Sequence, residues 1–249
     1  MKSPLRICLW SGPRNVSTAL LYSFAQRPDT RAVDEPLYAH YLRVSGARHP
    51  GWRDVLAVQD NDGERVVREV IFGDYDRSVV FFKLMAHHLV DIDLGFLERV
   101  ANVLLIRDPR EVLPSLVNQV PEPEIADTGI ALQWRLYEDL ARAGAPPPVL
   151  DARETLLDPE GVLRTLCGQL GIDFVDGMLS WEVGPRPEDG IWAPHWYHNI
   201  HRSTGFQPYR PKEEPVPERL LPLLAECRPY YERLVEHAIR GASEGARDA

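Results

Sequence analysis

The chain has 249 residues, 44% of them hydrophobic, which is enough to bury a sizeable core as one domain or one domain with a cap. A formal net charge of −9 argues against a general nucleic-acid or anionic-membrane binder, which would carry a basic excess. The three cysteines (Cys8, Cys167 and Cys227) are scattered, odd in number and without zinc spacing, so neither a disulfide framework nor a zinc site is expected. Cys8 and Cys167 read as buried thiols. No apolar run approaches transmembrane length and no signal-type apolar region precedes the first loop. A cytoplasmic location, with neither nucleic acid nor membrane as partner, is the expectation.

In chain order, strand-like apolar runs fall at 6–10, 31–34, 78–84, 102–106 and 148–151, with helix-like stretches at 15–26, 86–99, 109–119, 128–143 and 158–170. Alternating strands and helices predict an α/β fold: three α/β/α layers around a parallel sheet of about five strands. Residues 37–75 break the rhythm and read as an insertion with a small helix (Leu37 to Val44) and irregular loops. Residues 121–129 read as an exposed loop. Residues 181–215, rich in Pro, Gly, His and Trp, read as a functional, lid-like loop. A last helix or helix pair, broken near Pro222 and Pro229, occupies 216–241, and 242–249 read as a flexible tail. The expectation is one domain over 1–241.

Two segments suggest anion binding. In the first, Ile7 to Trp10 turn on Ser11-Gly12-Pro13-Arg14 and enter a helix at Asn15-Val16-Ser17-Thr18. A helix start offers unpaired backbone N–H groups and the positive end of its dipole. Gly12 permits close backbone approach, Arg14 adds a charge suited to phosphate, and Ser17 and Thr18 add hydroxyls. The loop lacks the second glycine and the lysine of an ATP- or GTP-hydrolysing P-loop. In the second segment, the strand Val103 to Ile106 ends on Arg107-Asp108-Pro109-Arg110, and a helix follows that carries Ser115. Arg107, Arg110 and Ser115 could face one anion; otherwise Arg107 and Asp108 form a surface ion pair.

Together these segments resemble the sulfotransferases that use 3′-phosphoadenosine 5′-phosphosulfate (PAPS). That family's N-terminal loop of the type S-G-P-R-S-G-T-T is matched by Ser11, Gly12, Pro13, Arg14, Ser17 and Thr18. Its later R-D-P-R-D-x-x-x-S element is matched by Arg107, Asp108, Pro109, Arg110 and Ser115, at a spacing of roughly ninety residues. The resemblance continues through Leu166 to Phe174 and Trp181. Asn15-Val16 replaces the common Ser-Gly, and the C-terminal G-x-x-G-x-x-K of the cytosolic branch is absent. Arg202-Ser203-Thr204-Gly205-Phe206 stands where a loop over the nucleotide would be.

The resemblance implies that Gly12, Pro13, Arg14, Asn15, Val16, Ser17 and Thr18 hold the 5′-phosphosulfate. Arg107 and Ser115 would hold the 3′-phosphate, with Arg202 and Ser203 closing over the nucleotide. It also implies that Glu35, at the end of the second strand, is the general base, with Asp34 and His40 as rivals. If the strand continued, Asp34 would point to the opposite face. Lys83, at the rim of the third strand, could stabilise the leaving oxygen or simply snorkel. His87 and His88 read as capping or exposed histidines, one of which could face substrate. His195, His198 and His201 read as lid residues rather than metal ligands, and Trp192 or Trp196 could stack on a ring. The implied activity is transfer of a sulfuryl group from PAPS to a hydroxyl or amine of a small acceptor, leaving the bisphosphate PAP, without metal. The alternatives are an ATP-dependent small-molecule or nucleoside kinase and a non-catalytic nucleotide-binding module.

Overall fold

The computed structural model describes residues 3–212 and 214–241. The tail expected at 242–249 lies outside the described residues. Five strands alternate with helices: β1 (Leu5–Ser11), β2 (Thr30–Asp34), β3 (Val79–Met85), β4 (Ala101–Ile106) and β5 (Val149–Asp151). They form one parallel sheet in the order β2-β3-β1-β4-β5. Each lies within a residue or so of its expected position, because short runs buried on both faces are legible as such.

The chain divides into two compact units. The first holds the described residues of 1–9 with 17–102 and 176–205; the second holds 10–16, 103–175 and the described residues of 206–249. In the first unit, α1 (Ser17–Ala25) stacks Phe24 on Phe81 of β3 with ring centroids 4.0 Å apart. Parallel pairing sets Asp34 of β2 beside Lys83 of β3. Residues 37–75 hold more helix than expected: α2 (Tyr38–Ser45), α3 (Trp52–Val58), α4 (Gly63–Val66) and a π-helical turn at Val67–Ile71. The helix α2 stops at Gly46, whose φ of 72° suits a left-handed cap. Residues 86–99 do not form the expected helix. They make two 3₁₀ turns, Ala86–His88 and Leu94–Arg99, and Asp93 caps the second through Gly95.

In the second unit, α5 (Pro109–Leu116) opens with Pro109, and the Asp108 side chain accepts from the Arg110 N–H at 2.8 Å. Asp108 is therefore a helix cap and not the partner of Arg107. The loop expected at 121–129 contains α6 (Ile125–Thr128), and Gly129 (φ 71°) turns the chain into α7 (Ile130–Arg142). After β5 come α8 (Ala152–Leu157), which was not anticipated, and α9 (Pro159–Leu170), capped by Asp158 and closed by Gly171. In the first unit the region 181–205 contains only α10 (Ala193–Trp196) and a 3₁₀ turn. The last helix, α11 (Leu221–Val235), is unbroken: Pro222 sits in its first turn, where no N–H is needed, and Pro229 is accommodated inside. All three cysteines are buried. Among the described residues no helix is long and apolar enough to cross a membrane.

Candidate functional site

Two groups of polar side chains stand out, one in each unit. The first gathers on the loop after β1 and the start of α5. Arg14 Nε donates to Ser115 Oγ at 2.7 Å, and Arg107 Nη1 donates to the Arg14 carbonyl at 3.0 Å. Residues 101 positions apart are thus in direct contact. Arg14 has φ 55°, in the left-handed region that non-glycine residues rarely occupy. That turn aims its side chain at Ser115. Asn15 holds the loop in shape: its Oδ1 accepts from Val16 N at 2.8 Å and its Nδ2 donates to the Leu105 carbonyl at 3.1 Å. The helix therefore begins at Ser17, two residues later than the sequence suggests, with Ser17 and Thr18 in its first turn. Gly12 is required, because a Cβ there would lie 2.6 Å from the Thr128 carbonyl oxygen. Buried Gln133 donates from Nε2 to the Trp10 and Leu105 carbonyls at 2.9 and 2.8 Å, tying the ends of β1 and β4 together. A cavity of about 20 Å³, bordered by Gly12, Asn15, Arg107, Thr128 and Gln133, lies behind the loop. It has room for about one water-sized group.

Arg107 pairs with Glu111, one helical turn on, through Nε at 3.0 Å and Nη2 at 2.9 Å. Tyr209 donates to the other Glu111 oxygen at 2.5 Å, and Lys212 Nζ donates to the Glu111 carbonyl at 2.7 Å. Arg107 thus bonds the Glu111 carboxylate and Lys212 its backbone carbonyl, with Arg14 nearby on Ser115. Burial and the neighbouring Arg107 both lower the Arg14 pKa. Burial, Arg107 and Arg14 lower that of Lys212. Such crowding favours an anion of higher charge than one carboxylate. Tyr209 and Lys212 were not anticipated; a lone lysine in a proline-rich stretch carries no motif. Arg110, expected to share the anion, is exposed on α5. Ser203 is buried in the other unit, donating to the Ile200 carbonyl at 2.8 Å and accepting from Trp181 Nε1 at 3.1 Å. Its neighbour Arg202 is exposed.

The second group surrounds Lys83 in the first unit. Lys83 is 2% exposed, and its ammonium donates to Glu35 Oε1 at 2.6 Å, Tyr197 Oη at 2.7 Å and Asp34 Oδ1 at 3.0 Å. It does not snorkel. Burial opposes its charge, but Asp34 and Glu35 together raise its pKa well above the usual lysine value. Asp34 and Glu35 do not point to opposite faces. Glu35 leaves the strand with φ 37°, which swings its side chain back to the lysine. Three contacts lock that turn: Glu35 N donates to the Lys83 carbonyl, and the Glu35 carbonyl accepts from Tyr38 N and Gln59 Nε2. Gln59 comes from the insertion, so the insertion helps shape this site. Among the described non-glycine residues only Arg14, Glu35 and Asp91 have positive φ; the first two are expected site residues. Burial raises the Glu35 pKa despite the nearby ammonium. The Glu35 side chain is 12% exposed against 1% for Asp34, so Glu35 is the more accessible carboxylate.

His40 and His88 are buried in the fold. His40 Nε2 meets the Val90 carbonyl at 2.7 Å and its Nδ1 accepts from Gly63 N at 3.1 Å, so both nitrogens are engaged. His88 is neither exposed nor capping. It lies buried between the rings of Tyr38 and Tyr41, its pKa held well below the usual value by burial. Burial likewise lowers His87 to about 3. His201 pairs with Asp189 at 2.9 Å. Among the described residues no group of three or more His, Cys, Asp or Glu could hold a metal ion.

The model of the sulfotransferase domain family matches residues 5–238. The chain belongs to the sulfotransferase-domain family. It is 40% identical over 244 residues to branched-chain-amino-acid aminotransferase-like protein 1 of Arabidopsis thaliana, covering 98% of this chain and 44% of that protein. With protein 2 of that name the identity is 39%, covering 92% and 41%. The chain spans less than half the length of these curated relatives. In fold it is similar to the sulfotransferase domain from the curacin biosynthetic pathway, with a TM-score of 0.55 and 15% identity over 94% of this chain and 99% of that one. It is also similar to a sulfotransferase from Alicyclobacillus acidocaldarius, with a TM-score of 0.51 and 16% identity over 96% and 98%.

Proposed function

We propose that this sulfotransferase uses PAPS as donor and sulfonates a hydroxyl or amine of a small acceptor. The observation that carries the reading is the convergence of Arg14, Ser115 and Arg107, from motifs about a hundred residues apart, onto a loop whose Gly12 admits no side chain. That set fits a nucleotide bearing phosphates: two arginines and a lysine offer charge, and Ser115 offers a hydroxyl. The loop from Gly12 to Thr18 would hold the 5′-phosphosulfate, and Arg107 with Ser115 the 3′-phosphate. Lys212 supports the second role better than Arg202 or Ser203 does, because it shares the Glu111 neighbourhood of Arg107. When bound, PAPS supplies the sulfuryl group.

Glu35 takes the acceptor's proton. It is preferred over Asp34 because its side chain is the more exposed of the two carboxylates, and over His40 because both nitrogens of that ring are engaged. Burial raises its pKa, the direction that suits a base. Lys83 holds the carboxylates in place; its three protons are all in use, so it aids the leaving oxygen only after one of them is released. The test is binding and turnover together. Arg107→Ala should weaken PAP binding far more than AMP binding, and Glu35→Gln should keep PAP binding while lowering transfer by ~10²-fold or more. Equal losses for PAP and AMP would remove Arg107 from the 3′-phosphate, and normal turnover in the glutamine variant would remove Glu35 from proton transfer.

A further inference from the structure

Two carboxylates share the Lys83 ammonium, yet their surroundings differ. Asp34 Oδ2 accepts the Tyr197 hydroxyl proton at 2.6 Å and the Gly190 N–H at 3.3 Å, while Oδ1 accepts from Lys83. The side chain of Glu35 accepts from Lys83. The Tyr197 oxygen in turn accepts from Lys83 at 2.7 Å and from Trp192 Nε1 at 3.2 Å. Tyr197 is 163 positions from Asp34 and is brought in by the segment after α10. Its ring also lies 5.0 Å from the ammonium. Burial and the Asp34 charge keep its hydroxyl protonated, so it acts as a fixed donor.

We propose that Tyr197 is a positioning residue: its hydroxyl secures Asp34 as the permanent counter-ion of Lys83 and thereby leaves Glu35 as the carboxylate that exchanges a proton. The proposal rests on the reading of Glu35 as base. Without the Tyr197 hydroxyl, Asp34 loses a short hydrogen bond to its ionised form and the ammonium loses one of three acceptors. The two carboxylates then compete for the cation on more equal terms, and the pair binds a proton at higher pH. Other groups facing the cluster are Tyr38, His88, Tyr22 with its partners Asp189 and His201, and Arg186. Of these the Asp189–His201 pair is the one a His201→Gln control should isolate.

The experiment follows the Glu35 carboxyl carbon by NMR in protein labelled with [5-¹³C]glutamate, assigned by its loss in Glu35→Gln. Titration is compared in the native sequence and in Tyr197→Phe, both without nucleotide. The expected result is a changed Glu35 titration in the phenylalanine variant: its midpoint shifts and its main step loses amplitude, because Asp34 takes up part of the proton. An unmoved midpoint in a folded Tyr197→Phe protein overturns the proposal. Should that variant not fold, Trp192→Phe removes the donor to Tyr197 Oη together with part of the ring's packing against Tyr38. It should move the midpoint the same way by less, and no movement there counts against the proposal equally. PAP binding to the native protein is measured in parallel. A moved midpoint without PAP binding would sink the donor assignment and keep the network; PAP binding with an unmoved midpoint would do the reverse.

Discussion

Replacing Lys83 with methionine removes the cation and keeps most of the side-chain volume. Three hydrogen bonds of 2.6 to 3.0 Å disappear, and two carboxylates are left side by side with side chains 1% and 12% exposed. Breaking a buried ion pair from one side costs about 3–5 kcal/mol. For a chain of this size each kcal/mol is roughly 2–4 °C, so the melting temperature should fall by about 6–20 °C near pH 7.5. The loss should depend on pH. Without the ammonium, repulsion and burial raise the folded-state pKa of the carboxylate pair above its unfolded value. Such a group stabilises the fold below its unfolded pKa, and that stability drains away as pH rises through the folded value, at up to ~1.4 kcal/mol per pH unit per proton. The variant should therefore lie closest to the native protein at pH 5 and farthest at pH 8. Calorimetry at four pH values between these limits reads the effect directly. A cost under about 1 kcal/mol that is flat with pH would refute the argument, since it is what a solvated strand-end lysine would give.

Gly12→Ala should cost about 1–3 kcal/mol, because its Cβ meets the Thr128 carbonyl oxygen at 2.6 Å, and it should weaken PAP binding together with stability; chemical denaturation and calorimetric titration check both. Stability should decline as pH falls below about 6.5, because His87 and His88 are buried neutral and protonate on unfolding. Their depressed folded pKa values make this contribution complete above the unfolded pKa and lost as pH falls through the folded values, about 3 for His87, at up to ~1.4 kcal/mol per pH unit each. A His88→Gln variant should show a shallower acid slope in melting temperature, and an identical slope would disprove the assignment. Glu111→Gln should weaken PAP binding by about tenfold, since Arg107 loses a charged partner fixing its fork while Lys212 keeps its bond to the backbone carbonyl; unchanged affinity would show that Glu111 does not orient Arg107.

Much of this arrangement was legible in the sequence. The five strands are legible because buried parallel strands are short apolar runs, and Gly12-Pro13-Arg14 and Arg107-Asp108-Pro109 each follow the end of one. Glu35 follows the last residue of β2, as its apolar run predicts, whereas Lys83 lies inside β3, two residues before the strand ends. What was hidden depends on backbone angles and long-range return of the chain. The left-handed turn at Glu35 reverses the face expected from strand alternation. Gln59, Gln133, Tyr197, Tyr209 and Lys212 each act across many residues on a backbone or side-chain partner, and a lone Gln, Tyr or Lys has no pattern by which to announce that. His88 was misjudged because burial between Tyr38 and Tyr41 is a tertiary fact; neighbouring residues suggest an ordinary helix there. The helices within 37–75 were missed because their apolar stripes are too short to show a period.

The most direct test of the central claim is a thermal-shift series with PAP, with AMP and with ATP plus Mg²⁺. At ~100 times its Kd a ligand stabilises by about 2.7 kcal/mol, or several degrees. The account predicts a shift with PAP that exceeds the AMP shift and needs no magnesium. A shift confined to ATP with Mg²⁺ would contradict it in favour of phosphoryl transfer, and no shift with PAP would contradict the assignment of Arg14, Arg107 and Ser115 to a PAPS site.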